Sequence, residues 1–166
     1  MKLFQTISLI LITYFSYSQC NTYGLVRNGD VTDSQLYSFN SNDGSATLIG
    51  TLSGIKRIFE TEFDPINNKI IVNGKNAADN SKNFVIDPEN ASSSSYDLWF
   101  TPQSTWSVNF VASNDQIYAL VRNGDVTDSQ LYSFNSNDGS ATLIGTLSGI
   151  KSCLLYTSDA ADDSLR

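Results

Sequence analysis

Residues Leu25–Lys56 and Leu120–Lys151 are the same 32-residue string, LVRNGDVTDSQLYSFNSNDGSATLIGTLSGIK, offset by 95 (120 − 25). No other feature restricts the fold as strongly. A repeated string is a repeated structural unit, and such a unit buries its apolar face by stacking on its neighbours. Half of the offset is about 47, the size of a four-stranded unit, so a fainter third copy is expected between the two. Phe63–Val72 (FDPINNKIIV) lines up with Phe110–Ala119 (FVASNDQIYA) at an offset of 47 (110 − 63). Both segments read as a strand ending in Phe, an Asn/Asp turn and an apolar strand. Asn and Asp suit such turns because they tolerate the left-handed region and bond their own backbone.

The last unit predicts strands over Trp106–Ala112, Gln116–Val121, Gln130–Asn135 and Ser140–Leu147. Its last two strands are joined by Ser136-Asn-Asp-Gly139, and Asp-Gly readily supplies the positive φ of a hairpin turn. The middle unit predicts Ile58–Phe63, Lys69–Asn73, Asn83–Asp87 and Tyr96–Thr101, with a looser final turn over Pro88–Ser95. The first unit keeps three strands, Thr22–Val26, Gln35–Asn40 and Ser45–Leu52, so it lacks either its innermost or its outermost strand. Neighbours such as Leu131 and Tyr132 point to opposite faces yet are both apolar, as in a strand covered on both sides. No sustained 3.6-residue apolar period occurs after the N-terminus, so the expectation is an all-β domain.

The segment Ile117–Leu147, with its Leu-Tyr strand, Gly-containing turn and Ile-Gly-Thr strand, resembles the repeats of secreted bacterial β-propeller proteins of unassigned function. Phe63–Val72 is similar to the strand-turn-strand core of many propeller blades, while no Trp-Asp dipeptide of the WD-repeat type occurs. The resemblance covers residues 22–151. It implies antiparallel four-stranded blades of an incomplete β-propeller, with about three blades present at 22–56, 57–104 and 105–151. The competing architecture is a two-sheet sandwich of irregular hairpins.

The first 18 residues read as a secretory signal: Lys2 opens it, Leu3–Phe15 is mostly apolar, and Ser16 and Ser18 stand at −3 and −1 of a cut after Ser18. The apolar run is shorter than the roughly 20 residues a membrane span needs, so no transmembrane segment is expected in the mature chain. Cys20 as a lipidated residue is the weaker reading, because Tyr17-Ser18-Gln19 lacks the small residues usual before it. The expected location is therefore extracellular or at the cell surface.

At the other end, Cys153–Asp163 (CLLYTSDAADD) resembles the translation of a transposon-type sequencing-library adapter. Residues 152–166 are accordingly expected to be a non-native tail, with the natural chain continuing past Lys151. A Cys20–Cys153 disulfide then loses its meaning. Two origins of the perfect repeat stay open: a recent blade duplication, or an assembly that joined the first blade to the third.

The net charge is −7, and removal of residues 1–18 and 152–166 changes it to −6 (−7 − 1 + 2). Basic residues are few and scattered, which excludes a nucleic-acid footprint. There is no His, which removes the commonest general base and the commonest metal ligand. Each remaining cluster has a plain structural reading. Asn28-Gly-Asp-Val-Thr-Asp33 and its copy Asn123–Asp128 gather oxygens as a calcium loop would, but no downstream Glu completes an EF-hand loop, and a polar turn explains them. Asn40-Ser-Asn-Asp-Gly44 places Gly where a ligand belongs, as a hairpin turn does. Trp99, Phe100 and Trp106 flank Thr101–Thr105 and could stack on sugars, yet large aromatics mostly fill cores. Asn90-Ala-Ser92 is formally a glycosylation acceptor and reads as a turn. Glu60, Glu62 and Asp64 alternate, which puts them on one strand face. Paired carboxylates could serve a propeller hydrolase or lactonase, but a solvated face accounts for them.

No residue is assigned a catalytic, cofactor-binding or metal-binding role, and no cofactor is implied. The sequence therefore suggests a secreted or cell-surface module for binding or structural interaction, with a glycan or a protein as its ligand. A fragment of a secreted propeller enzyme is the alternative. An open set of three blades is further expected to associate, because a propeller hides its strand edges and blade faces by closing the ring.

Overall fold

The computed structural model describes residues 22–27, 32–98, 108–113, 115–122 and 128–150, and all regular structure among them is β. Eleven strands follow in chain order: β1 (Thr22–Arg27), β2 (Ser34–Phe39), β3 (Ala46–Leu52), β4 (Ile55–Asp64), β5 (Lys69–Asn76), β6 (Ser81–Ile86), β7 (Ser93–Tyr96), β8 (Val108–Ser113), β9 (Gln116–Arg122), β10 (Ser129–Phe134) and β11 (Ala141–Leu147). They form three antiparallel meanders: sheet 1 (β1-β2-β3), sheet 2 (β4-β5-β6-β7) and sheet 3 (β8-β9-β10-β11).

The sheets stack face to face. Leu36 and Leu52 of sheet 1 pack on Ile70, Val72, Phe84 and Ile86 of sheet 2. The opposite face of sheet 2 presents Ile71 and Val85 to Val108, Phe110, Ile117, Val121 and Phe134 of sheet 3. The Phe110 and Phe134 rings meet edge to face at 5.4 Å, a favoured aromatic geometry. Strand β4 lies beside β8 on one side and β1 on the other. The chain is thus all-β, with antiparallel blades of an incomplete β-propeller, and the two-sheet sandwich is ruled out by the third layer. Sheet 2 has neighbours on both faces, which is why β5 and β6 are apolar on successive residues.

The missing strand of the first unit is now identified. Offset by 95, β1 falls on β9 and β2-β3 on β10-β11. Among the described residues sheet 1 therefore has no counterpart of β8, the strand that opens the sheet, and β1 is its terminal strand.

Three expectations about local structure need correction. Strand β4 starts at Ile55, three residues before the expected Ile58, because the ordered Ser53-Gly54 turn delivers the chain straight into it. The alignment of Phe63 with Phe110 is displaced by two residues. Ile70 opposes Phe63, whereas its counterpart Ile117 opposes Ala112, and Phe110 opposes Ala119. The loop after β4 is two residues longer than the one after β8, so the second strands keep the offset and the first strands do not. Neither strand ends in its Phe.

The third correction concerns the turn after β6, expected to be loose, with the last strand at Tyr96–Thr101. The strand is Ser93–Tyr96, and residues 99–101 lie outside the described residues. The turn is as tight as its relatives. Asp87 N–H donates to Ser92 O at 2.8 Å and Ala91 N–H to Asp87 O at 3.0 Å. In sheet 1, Asn40 N–H donates to Ser45 O at 2.9 Å and Gly44 N–H to Asn40 O at 2.8 Å. Ala91 takes the place of Gly44, with φ 58° against 72°. A left-handed Ala is costly, so its sequence gives no turn signal there.

Candidate functional site

The first strand of sheet 2 carries three alternating carboxylates, Glu60, Glu62 and Asp64. Register pairs Glu60 with Asn73, Glu62 with Ile71 and Asp64 with Lys69, so the three acids share the face turned to sheet 3, as alternation predicts. The expectation that this face is solvated is overturned. Asp64 is 1% exposed, and Glu60 and Glu62 are half-buried.

Each acid has its own environment. Asp64 closes the end of β4: its carboxylate accepts the Ile66 and Asn67 backbone N–H groups at 3.0 and 3.2 Å and Asn67 Nδ2 at 2.9 Å. From sheet 3, Ser136 Oγ donates to it at 2.5 Å. Burial pushes the Asp64 carboxyl up, but these donors together outweigh it and hold the group below the usual carboxylate value. Glu62 Oε1 accepts the Ala112 N–H of β8 at 3.2 Å, which ties the first strands of two sheets together. Burial raises the Glu62 carboxyl despite that bond. Glu60 is raised by burial and by the charge of Glu62.

Glu60 and Glu62 also line an open cleft of about 720 Å³, together with Thr22, Tyr23, Leu25, Ile58 and Phe63. Thr61 and Phe63 project from the other face of β4, opposite Val72 and Ile70, so the cleft wraps the edge of the strand. Tyr23 of β1 and Phe63 form its aromatic wall, with ring centroids 6.1 Å apart. The cleft lies where, among the described residues, sheet 1 has no opening strand to cover β4. The sequence reading missed Tyr23, Thr22 and Phe63. The available signal was the three-stranded first unit, because a sheet short of one strand leaves its neighbour's opening strand uncovered.

The remaining clusters have structural duties. Asp33 Oδ1 accepts the Gly54 N–H at 2.8 Å, and Asp128 does the same for Gly149 at 2.9 Å. Residues 28–31 and 123–127 lie outside the described residues. Asn40 Oδ1 accepts the Asn42 N–H at 2.9 Å within the expected hairpin turn. Asn90, exposed in its turn, likewise bonds the Ser92 N–H at 2.8 Å. Among the described residues no three His, Cys, Asp or Glu side chains come together as a metal site. Trp99, Phe100, Trp106, Cys20 and Cys153 lie outside the described residues. No helix among the described residues is long and apolar enough to cross a membrane.

No known protein-family profile matches the chain, and no curated protein matches it. Among solved structures it is similar to a presumptive 6-phosphogluconolactonase from Bacteroides fragilis NCTC 9343, at 18% identity and a TM-score of 0.45, covering 77% of this chain and 39% of that one. A protein of the same description from Bacteroides uniformis ATCC 8492 matches at 16% identity and a TM-score of 0.46, covering 76% of this chain and 40% of that one. The chain spans about two fifths of the length of either.

Proposed function

We propose that this is a secreted or cell-surface β-propeller module that binds a glycan in the cleft between β1 and β4. The observation that carries the reading is the make-up of that cleft: two aromatic rings, Tyr23 and Phe63, beside two half-buried carboxylates, Glu60 and Glu62. Aromatic faces suit the apolar faces of sugars, and carboxylates accept hydrogen bonds from hydroxyls. Export rests on residues 1–18, and the mass of the mature protein recovered from the medium tests it.

Titration of the full chain with a panel of neutral oligosaccharides is the test of binding. At least one should bind without being converted, and Tyr23→Ala should weaken that binding at least tenfold. Absence of binding across the panel overturns the reading. The enzyme alternative is favoured by one feature, the raised pair Glu60 and Glu62, since raised carboxyls are suited to proton transfer near neutral pH. Hydrolysis of a lactone or glycoside that is abolished by Glu60→Gln or Glu62→Gln would establish that alternative instead.

A further inference from the structure

Six carboxylates among the described residues are buried or half-buried, and five of them accept a hydrogen bond. Asp33 and Asp128 accept the Gly54 and Gly149 N–H groups. Asp64 is held by the turn after β4. Asp87 accepts Lys69 Nζ at 2.9 Å, and Glu62 accepts the Ala112 N–H at 3.2 Å. Glu60 is the exception. It is half-buried, and among the described residues it has neither a hydrogen-bond donor nor a salt bridge.

Nothing in the cleft supplies the missing donor. Glu60 and Glu62 are its only charged lining residues, and no Lys or Arg lines it. Arg57, earlier on β4, forms no ion pair with either acid. Burial raises both carboxyls, the charge of Glu62 raises Glu60 further, and no neighbouring cation lowers either group. A half-buried charge without a partner is costly, and a like charge on the same strand face adds to that cost. A cation brought in by a ligand offsets both. The rings of Tyr23 and Phe63 act in the same direction, because aromatic faces carry negative potential and attract cations. An anionic sugar would be repelled by the two acids.

We infer that the glycan bound here carries a protonated amine: an amino sugar whose ammonium is held by Glu60 and Glu62 while a linked sugar ring lies on Tyr23. The inference rests on the glycan reading and narrows it to one chemical class. An ammonium donates several hydrogen bonds and brings a positive charge, and both are what an unpartnered pair of carboxylates lacks. A hydroxyl donates one hydrogen bond and brings no charge. The acids face sheet 3 and Phe63 faces the other way, opposite Ile70. A ligand that meets both sides of β4 is therefore an oligosaccharide, long enough to pass round the strand edge.

The test is calorimetric titration of the full chain, at pH 6 and low salt, with β-1,4-linked tetramers of glucose, N-acetylglucosamine and glucosamine. The glucosamine tetramer should bind about tenfold or more tighter than the other two, the value of one charge-assisted hydrogen bond. Glu60→Gln keeps the size of the side chain and removes its charge, so it should take away most of that ratio, and Glu62→Gln should act in the same direction. Glu89→Gln removes one charge from an exposed turn outside the cleft and should leave the ratio as in the parent. A glucosamine tetramer that binds no better than the glucose tetramer, or does not bind, overturns the amine. So does an equal loss in Glu60→Gln and Glu89→Gln, which would mark attraction to the acidic surface as a whole. The glycan reading is judged separately, by the neutral panel and Tyr23→Ala: a neutral sugar bound with no preference for the amine leaves it standing, and failure of the panel removes both.

Discussion

Ser136 donates its hydroxyl to the carboxylate of Asp64 at 2.5 Å, joining the β10–β11 turn of sheet 3 to the end of β4. Asn67 Nδ2 contacts both partners, at 2.9 Å to Asp64 and 3.1 Å to Ser136. Ser41, the same residue of the same turn one repeat earlier, is exposed. A buried charge must be hydrogen-bonded to be tolerated, so one serine of the pair carries structural weight and the other does not.

Ser136→Ala should therefore destabilise the fold by about 1–3 kcal/mol, the cost of leaving a buried acceptor short of a donor. Ser41→Ala should stay within about 0.5 kcal/mol of the parent, as exposed substitutions do. Urea denaturation of the two variants side by side checks the difference. Equal effects would mean that the clamp contributes nothing.

The acids of β4 set opposing pH dependences. Asp64 is held below its ordinary value of 3.8, so the stability it contributes is present above that value and disappears as pH falls through the lower folded value. Glu60 and Glu62 are held above their ordinary value of 4.5. Their penalty is absent below 4.5, grows as pH rises through the window between 4.5 and the folded value, and is full above it. Glu60→Gln and Glu62→Gln should each raise the melting temperature at pH 7 and leave it nearly unchanged at pH 4. Melting curves across pH 3–8 decide this. A variant that melts lower than the parent at pH 7 would show that the charge is used rather than tolerated.

Gly50 and Gly145 offer a paired comparison. A methyl on Gly50 meets the Ala91 Cβ at 2.8 Å, while on Gly145 it meets open space. Gly50→Ala should cost about 1–3 kcal/mol through overpacking. Gly145→Ala should be neutral or stabilising by up to about 1 kcal/mol, because alanine restricts the unfolded chain. Denaturant midpoints of the two variants provide the comparison, and a loss at Gly145 as large as at Gly50 would contradict the placement of the sheet 1–sheet 2 interface.

Turn chemistry shows how far the sequence alone could be read. The Asn-Ser-Asn-Asp-Gly turns were legible because each is formed among residues close in the chain, whereas the bonds of Asp33 to Gly54 and Asp128 to Gly149 join residues 21 apart and were not. The Ala91 turn was not, because only the packing against Gly50 makes a left-handed alanine worth its strain. The cleft was half legible: the alternation of Glu60 and Glu62 was plain, but their burial and the approach of Tyr23 depend on how the neighbouring sheets stack on β4.

The duplicated string separates what sequence decides from what tertiary structure decides, since one sequence appears in two places. Among the described residues its backbone features recur in both. The bulge falls between Leu36 and Tyr37 in one copy and between Leu131 and Tyr132 in the other. Gly44 and Gly139 both have φ 72°, and Gly54 and Gly149 have 79° and 78°. Tyr37 donates to Gln35 at 3.0 Å and Tyr132 to Gln130 at 2.9 Å. These features are set by φ preferences and hydrogen bonds within a hairpin, and they need no neighbour. Burial is not the same. Phe134 is 2% exposed where Phe39 is 37%, and Leu36 is enclosed where Leu131 is half-open. A side chain is removed from water only by the sheet stacked on it, and sheet 2 stands on opposite sides of the two copies. Within the duplicated string the sequence alone thus determined strands, turns and register, and only the stacking decided which of two equally apolar faces became core.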